Sequence, residues 1–358
     1  MRWRHIIGGW IVVLLLLTMQ ACRGGDDDAE EYEVQARVTM LVSMNGLGDN
    51  GYNDDAAAGV FRYARKSGAK VSLLRPKSIE EAKQMYEKWM EKTTEADSAV
   101  LVLGSSSYEE LVNVAVDKNV EEAKTGGSRR VILMESTEKS LREGVSSVYV
   151  SRGGVCYLAG CMSEEHSAMI IKVGREPIVE VASMAFEEGY NRHKDDDVKE
   201  FGDIDMGRDE SMFANPEELY SAFVLMSGLG LDMEEKVRVF PLVGGSGVGI
   251  VQFLNDNPGT RLTMVGMDVD QGVLSDKVPF SVIIKIGAAL ETMLSDWREG
   301  KEWPKMQMYD MEEGYTEIVV NDSYRKMEWE KDVEEQKRKY YEEAIEIERG
   351  YREEVENE

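Results

Sequence analysis

From Ala36 onward, short apolar runs alternate with stretches of helical periodicity. Ala36–Ser43 is apolar and β-prone, and Asp54–Ser67 repeats its apolar positions at helical spacing. Lys70–Leu74 reads as a strand, and Ser78–Thr93 as a helix opened by a capping box from Ser78 to Glu81. Ala99–Gly104, Val131–Glu135 and Val145–Val150 are further strands, with Ser107 to Glu110 capping a helix after the first of them. The alternation resumes with a helix over Gly153–Ser163, a strand at Ala168–Val173 and a helix over Ile178–Tyr190. A helix then opens at Asn215-Pro216, followed by the strand Val237–Val243, the helix Val248–Leu254, and strands at Leu262–Val265 and Phe280–Ile284. Such alternation predicts an α/β protein with parallel sheets covered on both faces. Nine or so strands are too many for one small sheet. The break is expected near Val150–Gly154, where SRGG follows a strand, giving two lobes across a cleft.

Both ends depart from this pattern. Arg2 and Arg4 precede an apolar run, Ile6–Leu17, too short for a spanning helix, and the segment closes on Ala21-Cys22. Residues 1–22 resemble a bacterial lipoprotein signal with Cys22 as the lipidation site, although Met19 stands where leucine is usual; ordinary secretion is the alternative. Residues 23–35 are acidic, with almost nothing to bury, and read as a tether. Residues 323–358 are dense in Glu, Lys and Arg and read as a charged, solvent-exposed helix, with at most one weak face against the body.

The 358 residues carry 42 Lys and Arg against 68 Asp and Glu, a net charge of −26. This argues against nucleic acid and against docking to an anionic lipid face, leaving membrane contact to the anchor alone. With Cys22 lipidated, Cys156 and Cys161 lie five apart on a helix and point to different faces, so they read as buried small apolar residues.

Candidate chemistry gathers at strand ends, where open α/β sheets bind ligands. The first strand runs into a turn-rich loop, Met44–Asp54, in which Asp49 or Asn53 can cap the following helix. Its acidic residues lack the order of a calcium loop. Gly244 and Gly245 open the cluster GGSGVG, which is neither a P-loop nor a dinucleotide fingerprint but sets backbone amides at a helix N-terminus. Asp268 follows a strand and suits a pair of vicinal hydroxyls; Lys285, ending the next strand, can donate to the same ring or serve as a structural ion pair. Phe240, within a strand, reads on this evidence as core.

Seven stretches, in order, resemble the basic membrane protein or PnrA-like lipoproteins: GLGDNGYND (46–54), VILME (131–135), YLAG (157–160), MFANP (212–216), VFPLVGGSGVG (239–249), GMDVDQ (266–271) and SVIIK (281–285). That family comprises substrate-binding components of ABC importers, several of which bind purine nucleosides. The resemblance implies a type I periplasmic-binding-protein-like fold of two Rossmann-like lobes. Residues 36–150 with about 286–304 would form one lobe, and 151–285 with about 305–322 the other. It implies no enzymatic activity and no cofactor, a nucleoside-like ligand, and an ABC permease as partner. Carried over residue by residue, it places base-stacking aromatics at Tyr52 and Phe240, ribose contacts at Asp268 and Lys285, and an asparagine contact at Asn53. Ser43 and Glu135 stand where nucleoside binders have the two aspartates that read the base edge. Two other readings remain open: a surface lipoprotein that binds another protein through its acidic tail, and a glycosidic-bond hydrolase using Asp268, Glu135 and Asp49. No histidine lies in any strand-end motif to help the latter.

Overall fold

A computed structural model describes residues 36–94, 97–113, 129–174, 176–194, 202–207, 213–228, 236–323 and 333–357. The targeting segment, Cys22 and the acidic tether lie outside the described residues.

The elements are β1 (Arg37–Val42), α1 (Tyr52–Ser67), β2 (Lys70–Leu74), α2 (Ile79–Lys92), β3 (Ala99–Gly104), α3 (Glu109–Asn113), β4 (Arg129–Met134) and β5 (Val145–Val150). There follow α4 (Gly153–Cys161), β6 (Ser167–Lys172), α5 (Pro177–His193), β7 (Gly202–Asp205), α6 (Pro216–Gly228), β8 (Val237–Leu242), α7 (Gly247–Asp256), β9 (Leu262–Met264) and β10 (Gly266–Asp268). The chain ends through β11 (Phe280–Ile284), α8 (Ile286–Arg298), β12 (Met306–Tyr309), β13 (Thr316–Val320) and α9 (Val333–Asn357).

Three sheets result, ordered β12-β5-β4-β3-β1-β2, β7-β6-β8-β9 and β10-β11-β13. The first two are parallel throughout, and in the six-stranded sheet β3 and β5 are buried along their whole length, β3 as a continuous apolar run, as parallel sheets covered on both faces favour. Three departures from the sequence reading follow from pairing choices that periodicity does not encode. The run Leu262–Val265 is split: β9 extends the four-stranded sheet, and the chain then changes sheets at Val265 to begin β10. β13 returns antiparallel to β11. Met306–Tyr309, expected in the second lobe, instead pairs with β5 and extends the six-stranded sheet, so the chain leaves that sheet for β13 only after Tyr309.

Helices cover both faces. The α4–α5 contact is close, since a Cβ at Gly160 would fall 2.1 Å from the Phe186 carbonyl oxygen, and one at Gly189 2.1 Å from that of Tyr157. Cys156 and Cys161 are buried on α4 as free thiols, as expected of small apolar residues. The tail helix α9 is more engaged than its charge suggested. Val333, Gln336, Tyr340, Ala344, Ile345 and Glu348 form a buried seam at helical spacing, seated mainly on α4.

Candidate functional site

The carboxyl ends of strands from different sheets converge on one cavity. It is lined by Ser43 beyond β1, Asn45, Asp49, Tyr52 and Asn53 from the first loop and α1, Gly104–Ser106 at the end of β3 and just after it, and Glu135 beyond β4. Arg152 faces it from the turn after β5. The opposite side comprises Glu176, Ile178, Val179 and Ala182 at the start of α5, Phe213, Pro241–Gly245 at the end of β8 and in the turn after it, and Met267-Asp268 on β10. About 140 Å³ of its volume admits the centre of a water-sized sphere. At about 10–15 Å³ of such volume per water, it holds roughly ten waters, the scale of a sugar or nucleoside.

The first loop is organised by Asp49. Its carboxylate accepts the amide hydrogens of Gly51 (3.1 Å), Asn53 (2.8 Å) and Asp54 (3.2 Å), together with the Asn53 Nδ2 hydrogen (3.0 Å). Asp49 therefore satisfies the orphan amides opening α1. Asn53 Oδ1 in turn accepts the Ser43 amide hydrogen at 3.3 Å, tying the end of β1 to the helix. Across the cavity, a Cβ at Gly245 would lie 3.2 Å from Asp49 Cα and one at Gly51 would lie 3.2 Å from Asp268 Oδ2. Strand ends of different sheets thus approach within van der Waals contact, which the absence of a side chain at these two positions permits.

The charges are concentrated, and one pair among them is buried. Arg152, 4% exposed, is paired with Glu135, 1% exposed, whose Oε1 also accepts the Val150 amide hydrogen at 3.4 Å. Burial pushes the Glu135 carboxyl up despite the guanidinium beside it. For Arg152, burial is opposed by the Glu135 and Asp268 carboxylates, which hold it firmly protonated. Asp268 is pushed up to about 6, first by burial, with Asp49 and Glu135 adding repulsion and Arg152 pulling the other way. Burial also raises the Tyr52 phenol well above its usual value, so it remains a donor at neutral pH. Among the described residues, Ser43 Oγ, the Tyr52 hydroxyl and Glu176 Oε2 are buried at the cavity without a hydrogen-bond partner. Glu135 and Asp268 also adopt left-handed backbone conformations, φ 62° and 67°, a strain that clusters at binding sites.

Ser43, Asp49, Tyr52, Asn53, Glu135, Gly244, Gly245 and Asp268 therefore meet in the cavity, and two other expected residues do not. Phe240 is fully buried and stacked on Phe186, with ring centroids 4.2 Å apart and planes 7° from parallel. Strand alternation turns it into the core, and its successor Pro241 lines the cavity instead. Lys285, 37% exposed along its side chain, donates to the Gly314 carbonyl oxygen at 2.9 Å and pairs with Glu317 at 2.8 Å, bracing β11 against the loop before β13. Arg152 was missed, although SRGG marked its turn as a lobe boundary; a cation beside the expected crossover was the available signal.

No family model matches the chain. It is 27% identical over 175 residues to an uncharacterized lipoprotein of Pyrococcus abyssi, a match covering 49% of this chain and 40% of that protein. A second, from Pyrococcus horikoshii, matches at 27% over 177 residues with the same coverage. The chain thus matches less than half the length of these curated relatives. Among solved structures, ABC transporter system solute-binding proteins from Aeropyrum pernix K1 superpose with a TM-score of 0.66 at 17% identity, covering 89% of this chain and 86% of that one. A sugar ABC transporter protein from Yersinia enterocolitica subsp. enterocolitica 8081 gives 0.58 at 14%, covering 82% and 85%. A periplasmic binding protein/LacI transcriptional regulator from Alkaliphilus metalliredigens QYMF, complexed with D-xylulofuranose, gives 0.56 at 11%, covering 81% and 99%. At these identities the likeness defines the fold. It is the two-lobed α/β fold of type I periplasmic binding proteins.

Proposed function

We propose that this protein is a solute-binding lipoprotein of an ABC-type importer, anchored in the cell envelope through Cys22, that closes its lobes over a nucleoside or other ribose-bearing solute. The observation that carries this reading is the cavity between strand ends of different sheets, where Ser43 and Tyr52 present buried hydroxyls without protein partners among the described residues and the Asp268 carboxylate lines the same space. Unpaired buried polar groups are costly unless a ligand satisfies them. A sugar with vicinal hydroxyls donates to Asp268 and both donates to and accepts from the two hydroxyl groups. The Tyr52 ring offers one flat wall, and Ile178, Val179, Phe213, Pro241 and Met267 supply an apolar surface in the same cavity. This division of flat apolar walls and few polar contacts suits a base and its sugar.

Charge narrows the choice. Asp49, Glu135, Glu176 and Asp268 face the cavity with Arg152 as the single cation among its lining residues, which disfavours phosphorylated solutes. Binding is favoured over hydrolysis because two of the three carboxylates that a hydrolase would draw on are already engaged, Asp49 by the α1 amides and Glu135 by Arg152. The Pyrococcus relatives named lipoproteins and the solute-binding neighbours support the envelope location and the permease partner. A thermal-shift screen of nucleosides, nucleobases, nucleotides and sugars tests the proposal. A saturable stabilisation by unphosphorylated ribosides is expected, about 2.7 kcal/mol at one hundred times Kd. No shift with any of these solutes refutes it.

A further inference from the structure

The cavity's cation is steadied from outside the cavity. Arg152 lies in the turn between β5 and α4, where the chain leaves the six-stranded sheet, and its guanidinium reaches Glu135 at the end of β4. The backbone just beyond it is gripped by α9. The Glu348 carboxylate, 1% exposed, accepts the Gly154 amide hydrogen at the N-terminus of α4, where helix polarity favours a negative charge. A Cβ on Gly153 would fall 2.3 Å from the Tyr351 ring, and one on Gly154 2.5 Å from the Ala344 carbonyl oxygen. The buried seam of α9 therefore rests on the turn's own backbone.

The same helix holds the second exit from that sheet, between β12 and β13. Arg352 pairs with Asp310, 3% exposed, and Arg349 Nε donates to Glu312 at 3.0 Å. The two exits are themselves joined, since the Ser151 amide donates to the Tyr309 carbonyl oxygen at 2.8 Å. Elsewhere α9 reaches the loop between β4 and β5, α4 and the end of α5: Lys139 donates to the Glu356 carbonyl oxygen at 2.8 Å, and Glu343 accepts from Tyr157 (2.8 Å) and pairs with Arg192 (3.1 Å). A carboxylate buried on a helix whose outer face is charged is expensive unless its bond is needed, and an apolar residue would fill position 348 at lower cost.

We propose that Glu348 is a positioning residue for the solute site: by fixing the turn Ser151–Gly154 it sets Arg152 against Glu135, so that the tail helix belongs to the binding apparatus. This rests on reading the cavity as a solute site. The test uses the full chain labelled with ¹⁵N-arginine, with the Arg152 guanidinium signal identified by its loss in Arg152→Lys. In Glu348→Ala that signal shifts or broadens, and affinity for inosine, the probe, falls about tenfold, equivalent to about 1.4 kcal/mol for one buried hydrogen bond. Glu348→Gln keeps an acceptor for the Gly154 amide and returns both readouts toward wild type. Where Glu348→Ala fails to fold, Tyr351→Leu, which loosens the same turn, must displace the Arg152 signal. An unchanged Arg152 signal in either folded variant overturns the proposal. A wild-type chain that takes no inosine counts against the solute reading alone, because the guanidinium signal still decides the role of Glu348.

Discussion

Replacing Asp268 with asparagine separates what its carboxylate costs the fold from what it gives the site. The group moves from 3.8 to about 6 on folding, equivalent to at most about 3 kcal/mol at 1.36 kcal/mol per tenfold change in proton affinity. The folded protein holds this proton more tightly than the unfolded chain does. Its contribution to stability is therefore fully present below about pH 4, is lost as pH rises toward 6, and stays lost above. An asparagine side chain carries no charge at either pH, so this dependence disappears in the variant. Asparagine also tolerates the left-handed backbone at this position (φ 67°) at least as well as aspartate. Urea unfolding at pH 4 and pH 7.5 reads the difference. Asp268→Asn should match wild type at pH 4 and exceed it by about 1–3 kcal/mol at pH 7.5, while losing the stabilisation by inosine. Gain of stability with loss of binding is the signature of a carboxylate kept for a ligand. A variant no more stable than wild type at pH 7.5, or one more stable only in acid, refutes the electrostatic account.

Further substitutions separate core from cavity. Phe240→Ala should destabilise by about 3–5 kcal/mol in urea, because it empties a packed site against Phe186, whereas Phe240→Leu should bind inosine as wild type does. Lys285→Ala should change stability by no more than about 1 kcal/mol and leave binding intact, since its ion pair with Glu317 is largely solvated. Arg152→Ala strands the Glu135 charge in a buried site and should destabilise by about 3–5 kcal/mol, with Glu135→Gln in the same chain recovering part of the loss.

The alternation of apolar runs and helical periodicity in Ala36–Ile284 made the two-lobed α/β fold readable, because parallel strands buried on both faces leave a strong apolar signal. Pairing was less legible. Met306–Tyr309 and Thr316–Val320 are short strands whose partners are fixed by topology, and no local pattern says that one joins β5 and the other reverses beside β11. In the site, glycine-rich turns and strand-end carboxylates were readable because each has a local backbone reason. Phe240 misled because its face depends on register: one residue further along β8, Pro241 lines the cavity. Lys285 misled because a strand-end lysine serves an ion pair as readily as a ligand. Arg152 was hidden in a turn, and its partner Glu135 lies seventeen residues earlier in the chain. The tail looked solvated because its charges dominate the composition, while the buried seam from Val333 to Glu348 uses only one residue in three or four.

The most direct test of the central claim, that a solute sits in the cavity against Asp268, is native mass spectrometry of the wild-type chain and of Asp268→Asn titrated with inosine. One intact ligand per wild-type chain, bound saturably and lost in the variant, is the predicted result. Equal binding by both proteins, or release of free base and ribose from the wild type, would contradict it.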